Sequence, residues 1–279
     1  VLTVAAVTGA QNGTVTLLVN SDGSGDVRFT PDANYHGPAR FSYTVSDGAG
    51  GTVTAVAALT VAAVNDVPVV QGESGSTAED TALSWTSAAL LANDTDADAA
   101  TDGQTLAVQA VQNAQHGVVT LAADGRVTFT TDANHHGAAS FQYVVTDGAG
   151  GTATGTVTLN VTPVNDLPVA QGESASFSED NAITFTHAQL LANDSDVDGA
   201  TDGQVLTVTA VSGASHGTVT LLVNSDGSGD VRFTPDANYH GPAQFSYTVA
   251  DGAGGTAQAT VNLTVLSVND APVAVGETA

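Results

Sequence analysis

Two acidic segments have residue types and spacing that could bind a metal ion. They read Asn-Asp-Thr-Asp-Ala-Asp at residues 93–98 and Asn-Asp-Ser-Asp-Val-Asp at residues 193–198, and a further aspartate follows at Asp102 and Asp202. Carboxylates at every second position bring several hard oxygen atoms within reach of one cation, as the six to eight oxygen ligands of calcium require. The spacing is typical of the start of an EF-hand loop, but no glutamate occupies the twelfth position and no flanking helices are predicted. We therefore expect the remaining calcium ligands to come from other loops, the alternative being a fully solvated acidic turn.

The charge of the chain independently favours bound cations. Its 279 residues include 29 aspartates and glutamates against four arginines and no lysine, which gives a formal net charge of −25. Like charges closer than roughly 10 Å still repel at about 0.1 M salt, so a compact fold needs this excess to be neutralised. The same charge would repel a phosphate backbone, which excludes nucleic acid as a partner. The absence of cysteine excludes disulfides, thiol catalysis and cysteine-ligated zinc.

The chain is built from repeats of about 100 residues. The string Val-Asn-Asp-X-Pro begins at Val64, Val164 and Val268, and residues 13–39 recur unchanged as residues 217–243. This self-similarity indicates duplication of a repeated structural unit. We expect a partial copy with only the back-half strands at residues 1–64, complete copies at 65–164 and 165–268, and the start of another copy at 269–279.

The chain reads as a segment of a longer protein. It opens at Val1 without a signal segment, and its last residues begin a further copy. No apolar run approaches the roughly 20 residues of a membrane-spanning helix, so no membrane insertion is expected in this segment. We interpret it as a soluble piece of a larger chain.

Each complete copy is predicted to be an all-β sandwich. Apolar residues alternate with polar ones, as at Phe141, Tyr143 and Val145, and no helix-length pattern of period 3.6 is present. In the middle copy the predicted strands lie near residues 68–77, 82–86, 105–111, 118–122, 127–130, 140–146 and 152–162, with one helical turn near 87–91. Seven strands in about 100 residues favour an immunoglobulin-like Greek-key sandwich, with Trp85 in the core of the second strand. Histidines beside glycines, such as His36, are interpreted as turn-stabilising.

Taken together, the motifs resemble the cadherin-like tandem repeats of large bacterial surface adhesins exported by type I secretion. The shared strings are Val-Asn-Asp-X-Pro, Ser-Glu-Asp at residues 178–180, Leu-Ala-Asn-Asp-X-Asp-X-Asp, Phe-Thr-Pro-Asp-Ala-Asn-Tyr-His-Gly and Phe-Ser-Tyr-Thr-Val-X-Asp-Gly-Ala-Gly-Gly. The resemblance covers the whole chain, and five ordered motifs per repeat make it specific for the repeat type. It implies seven-stranded Ig/cadherin-like sandwiches in a linear array, Ca²⁺ as the cofactor, and a place outside a bacterial cell.

Metal ligands are expected at both ends of each sandwich. The second-to-third and sixth-to-seventh loops share the end where the chain comes in, the leading end, and the first-to-second and fifth-to-sixth loops share the trailing end. The resemblance implies that calcium bridges a trailing end, the linker and the next leading end. The trailing-end residues are Glu79, Asp80, Glu179 and Asp180, and the linker residues are Asn65, Asp66, Asn165, Asp166 and Asp270. The leading-end residues are Asp94, Asp96, Asp98, Asp102 and Asp147 in one copy and Asp194, Asp196, Asp198, Asp202 and Asp251 in the next.

The repetition of these carboxylates argues against catalysis. A glycoside hydrolase needs one carboxylic acid with a raised pKa in an apolar cleft, whereas these carboxylates lie in turns rich in glycine, aspartate and asparagine and recur in every copy. We therefore expect a calcium-rigidified stalk of a secreted bacterial adhesin or surface filament, in contact with neighbouring repeats of the same chain and serving adhesion or biofilm formation. Two alternatives stay open: a module that binds glycans or surfaces, and a filament subunit whose partial first copy is completed by strands of another chain.

Overall fold

Almost all of the regular structure is β-strand. The structure is a computed structural model and describes residues 1–21, 25–225 and 228–272, so most of the expected final partial copy lies outside the described residues. Strands account for 55% of the chain and helices for 3%, which confirms the predicted all-β class. The chain divides into two compact units, the first running from Val1 to Val161 and the second beginning at Thr162.

The first unit opens with five strands. They are β1 (Thr3–Gln11), β2 (Gly13–Val19), β3 (Gly25–Pro31), β4 (Gly37–Ser46) and β5 (Thr52–Val61). The strand order is β1-β4-β5 in one sheet and β2-β3 in the other. These five strands correspond in sequence to the last five of a complete copy.

The rest of the first unit contains the seven strands that the sequence predicts for the middle copy. They are β6 (Glu73–Ala78), β7 (Leu83–Trp85), β8 (Ala107–Gln115), β9 (Gly117–Leu121), β10 (Val127–Thr131), β11 (Gly137–Thr146) and β12 (Thr152–Thr162), with the helical turn α1 (Ser87–Leu90). Their order is β6-β12-β11-β8 in one sheet and β7-β10-β9 in the other. The first strand starts five residues later than predicted, because Val69 instead forms an isolated bridge with Thr95 in the acidic loop.

The second unit repeats this plan. Its elements are β13 (Ser174–Ser178), β14 (Ile183–Phe185), α2 (His187–Leu190), β15 (Thr207–Ser215), β16 (Gly217–Val223), β17 (Gly229–Pro235), β18 (Gly241–Ala250) and β19 (Thr256–Leu266). The sheets are β13-β19-β18-β15 and β14-β17-β16. Strand β13 pairs with β19 in parallel, while the other registered pairs of this unit are antiparallel.

Aromatic side chains from both sheets form the core of each sandwich. In the middle copy Phe129, Phe141 and Tyr143 are 0% exposed. The Phe141 ring lies 5.7 Å from that of Phe129 and 5.4 Å from that of Trp85, so it joins the two sheets across the interior. Trp85 is partly buried and packs against this core, as the sequence predicts.

A single helical turn fixes the start of each acidic loop. The hydroxyl of Thr86 caps α1 by accepting from the N–H of Ala89, and Thr186 forms a full capping box with Gln189 at α2. Leu90 at the end of α1 is 0% exposed and anchors the turn in the core. The acidic segment begins at residue 93, three residues after this buried leucine. The position of its first residues is therefore fixed by the core.

Candidate metal centre

Two loops at the leading end of the middle copy hold the linker. Asn65 Nδ2 donates to Asp147 Oδ2 at 2.8 Å, and the backbone N–H of Asp66 donates to Asp98 Oδ2 at 2.7 Å. Gln104 Nε2 completes the arrangement by donating to Asn65 Oδ1 at 2.9 Å. The predicted linker residues and two of the predicted leading-end aspartates therefore lie in direct contact.

The second unit contains the same arrangement at its own leading end. Asn165 Nδ2 donates to Asp251 Oδ2 at 2.9 Å, and the N–H of Asp166 donates to Asp198 Oδ2 at 2.8 Å. Gln204 Nε2 donates to Asn165 Oδ1 at 2.9 Å and reaches Asp198 Oδ2 at 3.4 Å. The same contacts at two sites indicate that the local sequence specifies this geometry.

A tight glycine-rich turn orients the aspartate of the sixth-to-seventh loop. Oδ1 of Asp147 accepts from the N–H groups of Ala149, Gly150 and Gly151 at 2.7, 3.0 and 3.0 Å. A Cβ at Gly151 would lie 2.0 Å from Asp147 Oδ2, so only glycine fits beneath the carboxylate. The hydrogen bond from Asn65 lowers the pKa of Asp147, burial opposes that change, and the turn N–H groups lower the pKa further. This carboxylate is therefore held as an oriented anion although it is only 3% exposed.

The acidic loop itself contributes buried oxygen atoms. Asp98 is 4% exposed, and its N–H donates to Asp96 Oδ1 at 2.8 Å. Within the part of the chain that the structure describes, Asp96 Oδ2 and Gln104 Oε1 are buried and make no hydrogen bond, and so are Asp196 Oδ2 and Gln204 Oε1. Buried polar atoms without partners are uncommon in native proteins, and here the same oxygen atoms recur in this state at both sites.

Asp94 and Asp194 lie elsewhere, although the acidic spacing groups them with the other ligands. Asp94 Oδ1 accepts from the N–H of Gln71 at 2.9 Å, and burial raises the pKa of this carboxyl. Asp194 Oδ1 accepts from the N–H of Gln171 at 2.7 Å. Both aspartates therefore connect the acidic loop to the chain just before the first strand of their own sandwich.

A buried tyrosine hydroxyl lies beside Asp194. Tyr247 OH is within hydrogen-bonding distance of Gln171 O at 2.9 Å, Glu173 Oε1 at 3.0 Å, Leu190 O at 3.2 Å and Asp194 Oδ2 at 3.3 Å. Burial, followed by the negative charges of Glu173 and Asp194, raises the pKa of Tyr247 well above its ordinary value, and burial does the same for Tyr143. Both hydroxyls are therefore held neutral as donors.

This tyrosine environment predicts a distinctive alkaline titration. Because the pKa is raised in the folded state, the neutral hydroxyl contributes stability that is fully present below the unfolded-state value of about 10 and is lost as the pH rises toward the folded-state value. We expect ultraviolet absorbance to show that Tyr143 and Tyr247, of the five tyrosines, ionise only as the protein unfolds. The variant Tyr247→Phe should remove one late-titrating group. Ordinary titration of all five tyrosines in folded protein would contradict this expectation.

The trailing-end residues form a second group of contacts. Glu79 is 2% exposed with Oε2 4.0 Å from His136 Nδ1, and Asp80 Oδ1 accepts from the N–H of Asn134 at 3.3 Å. In the second unit Glu179 is 3% exposed, and its Oε1 accepts from the N–H of Val268 at 2.6 Å. The first-to-second and fifth-to-sixth loops thus meet as expected, and in the second unit this end binds the chain that leads on to Asp270.

Within the first unit the partial copy contacts the leading end of the middle copy. His36 Nε2 lies 2.8 Å from Asp102 Oδ1, and both side chains are 30% exposed. A cavity of about 280 Å³ lies beside this contact, and its lining includes Asn34, His36, Val61, Val64, Asp66 and Asp98. The sequence predicts a turn-stabilising role for His36, and the structure adds its contact with Asp102, a predicted metal ligand of the next copy.

Carboxylates alone do not complete a metal site. Among residues 1–21, 25–225 and 228–272, no three histidine, aspartate or glutamate side chains are grouped closely enough to hold a metal ion. A cation at the leading end would therefore need the amide oxygens of Asn65 and Gln104, backbone carbonyls or water beside the carboxylates. Calcium accepts all of these oxygen ligands.

Comparisons with known proteins identify the family of the chain. A model of the cadherin-like domain family matches residues 1–62, 64–162 and 164–266. The chain belongs to this family. Its seven-stranded sandwiches are cadherin-like repeats in tandem, as predicted, and tandem repeats of this family are adhesion-type extracellular domains.

Solved structures show the same fold at low sequence identity. The crystal structure of mouse cadherin-23 EC22–24 aligns over 96% of this chain and 86% of its own, with 16% identity and a TM-score of 0.53. The protocadherin gamma B2 domains 1–5 align over 96% of this chain at 16% identity and a TM-score of 0.50, and the chain spans 53% of their length. An endo-fucoidan hydrolase of glycoside hydrolase family 107 aligns over 95% of the chain at 17% identity but with a TM-score of 0.30, and the chain spans 39% of its length. A search of curated protein sequences found no match.

The described part of the chain contains no helix that is long and apolar enough to cross a membrane. The helices α1 and α2 are single turns of four residues each. Cadherin-like ectodomains are extracellular in the relatives of this chain.

Sequence reasoning missed Gln104 and Gln204 as members of the site. Neither residue carries a charge, and neither belongs to the alternating acidic pattern. The available signal was repetition, since the string Thr-Asp-Gly-Gln occurs at residues 101–104 and again at residues 201–204.

Proposed function

We propose that this chain is a calcium-binding spacer of an extracellular adhesin, in which Ca²⁺ stiffens the passage from each linker into the sandwich that follows. The observation that carries the proposal is the capture of the linker by two buried, oriented carboxylates, repeated at Asn65 and Asn165. A metal-free protein would gain nothing from burying carboxylates beside further unpaired oxygens, because desolvation disfavours their charge. A cation at this place offsets that cost.

The residues present fit calcium. Carboxylate, amide and backbone oxygens are the ligands it takes, and six to eight of them can be arranged flexibly. In the middle copy the ligands would come from Asn65, Asp66, Asp96, Asp98, Gln104 and Asp147, with Asp102 beside them. In the last copy they would come from Asn165, Asp166, Asp196, Asp198, Gln204 and Asp251, with Asp202 beside them. The trailing-end and linker ligands would come from Glu79, Asp80, Glu179, Asp180 and Asp270. Asp94 and Asp194 would contribute indirectly, by fixing the acidic loop to the chain at Gln71 and Gln171.

Bound calcium supplies two effects at such a site. It neutralises part of a formal charge of −25, and it cross-links loops that are distant in sequence, here residues 98 and 147, through the linker. Cadherin-like domains in general bind calcium, which supports the assignment of the ion. Extracellular modules bind it with dissociation constants of roughly 10⁻⁴–10⁻³ M, so the sites would fill outside a cell and not in cytosol.

The role as a spacer follows from the uniformity of the copies. Both complete copies carry the same linker, acidic-loop and trailing-end carboxylates, and aromatic residues make up only 5% of the chain. Functions built into every repeat alike suit extension rather than catalysis. We therefore assign the chain to the stalk of a secreted bacterial surface adhesin that supports attachment or biofilm formation.

Calcium-dependent hydrogen exchange tests this function. We expect about 5 mM calcium to slow exchange of backbone amides in the linkers at residues 64–66 and 164–166, because ion binding stabilises the hydrogen bonds of Asp66 and Asp166. Changing Asp194, Asp196 and Asp198 together to asparagine should abolish the effect at residues 164–166 and leave it intact at 64–66. Equal exchange rates with calcium and with a chelator at both linkers would refute the proposal.

A second candidate function is assembly through strand addition. In the middle copy β10 pairs with both β7 and β9, and β12 pairs with both β6 and β11. Among the described residues of the partial copy, β3 pairs only with β2, and β5 only with β4. Strand edges of this kind can accept strands from another chain. Light scattering should then show size increasing with protein concentration, and a constant monomer mass would exclude this mode.

A further inference from the structure

Gln104 and Gln204 lie at the centre of the linker contacts although they are outside the acidic motif. Each donates through Nε2 to the side-chain oxygen of a linker asparagine at 2.9 Å, and Gln204 also reaches a buried carboxylate oxygen of Asp198 at 3.4 Å. Each follows the acidic loop and precedes the third strand of its sandwich. The glutamine therefore connects the sandwich to the linker through an amide.

This donor decides which way the linker asparagine faces. Asn65 Nδ2 uses its hydrogens on Asp147 Oδ2 and on the carbonyl of Asp66. Its Oδ1 faces the other way and receives the hydrogen from Gln104. Two consecutive hydrogen bonds thus connect Gln104 to Asn65 and Asn65 to the carboxylate of Asp147. Each bond fixes the orientation of the amide that donates it.

The acceptor oxygen of each glutamine amide has a free-energy cost of burial when no ligand is bound to it. Oε1 of Gln104 and of Gln204 is buried and makes no hydrogen bond to any described residue. An apolar side chain of the same length would avoid that cost. Both copies nevertheless have glutamine here, so its donor or its acceptor must serve the site.

We propose that Gln104 and Gln204 are positioning residues for calcium, which orient the linker asparagine and hold the linker against the leading end before the ion binds. The inference rests on the function proposed above and gives these two candidate ligands a role before the ion binds. Preorganisation of this kind lowers the ordering cost of binding and so raises affinity. Its effect on the calcium-free linker is measurable without the ion.

The test compares two variants of the full chain in chelator. Gln204→Met keeps the length of the side chain and removes both the donor and the acceptor, and Gln204→Glu keeps the acceptor oxygen and replaces the donor nitrogen with a second oxygen. Both should speed exchange of the Asp166 amide about tenfold while the Asp66 amide is unchanged. The control Gln258→Met removes an exposed glutamine on β19 that donates to Thr248 and should change neither amide. Unchanged exchange at Asp166 in either variant would overturn the positioning role.

Calcium affinity distinguishes a positioning residue from a residue that only stabilises the fold. By isothermal titration, Gln204→Met should weaken calcium binding about fivefold at one site, while the melting temperature in chelator stays that of the wild type. An unchanged affinity, or a fall in melting temperature large enough to explain the loss, would refute the inference. If the wild-type chain bound no calcium, the proposed function would be refuted. The exchange comparison in chelator would still test whether the glutamine holds the linker against the sandwich.

Discussion

Calcium at about 10 mM is expected to raise the melting temperature of the protein by about 5–15 °C relative to chelator. With a dissociation constant of roughly 10⁻⁴–10⁻³ M, one site that binds only the folded state contributes about 1.4–2.7 kcal/mol at this concentration. One kcal/mol shifts the midpoint of a domain of about 100 residues by several degrees. Differential scanning calorimetry over a range of calcium concentrations measures the shift directly.

The variant Asp98→Asn links this stabilisation to the middle copy. Asp98 is 4% exposed and accepts the N–H of Asp66, and an asparagine oxygen can keep that hydrogen bond while the charge is lost. We expect the calcium-dependent shift of the middle copy to disappear while its stability in chelator changes by no more than about 1 kcal/mol. Asp124→Asn, in an exposed hairpin turn of the same copy, is the matched control and should keep the full shift. A calcium shift that survived in Asp98→Asn would remove this aspartate from the site.

The second large effect is expected in the core. Phe141→Ala should destabilise the middle copy by about 3–5 kcal/mol, because the ring is 0% exposed and contacts Trp85 and Phe129 from the opposite sheet. Such a loss is a large part of the stability of a domain of this size. Urea unfolding followed by tryptophan fluorescence reports on this copy, since Trp85 is the only tryptophan.

Val118→Ala provides the comparison for the core substitution. Val118 lies on β9 of the same copy and is 62% exposed. We expect its effect to stay within about 0.5 kcal/mol. Similar losses for the two variants would show that Phe141 does not fill the interior as described.

The sequence predicts the strands well because their signal is local. Residues of β12 alternate between buried and exposed along the whole strand, which is the pattern that the apolar spacing predicts. The largest difference is at the first strand, and smaller ones occur at the end of the third strand and at the start of the sixth. The predicted start of the first strand near Pro68 failed because Val69 pairs with Thr95, a partner 26 residues away that no local pattern reveals.

The candidate site was predictable in its composition but not in its geometry. Repetition and charge identified the linker and the acidic loops, and the contacts of Asp98 and Asp147 with the linker agree with the expected sharing of one end. The direction of Asp94 was not predictable, because it depends on where the chain at Gln71 passes in the folded sandwich. Gln104 was overlooked because a neutral side chain adds nothing to a search for carboxylates.

The contacts of the linker have a consequence for how such proteins change length over generations. Asn65 and Asp66 are bound by loops that follow them in the chain, at residues 98, 104 and 147. A recombination break just upstream of the asparagine therefore transfers Asn65 and Asp66 together with the loops that bind them. Whole copies can be added or deleted by unequal crossing-over, and each arrives with its leading-end contacts already encoded.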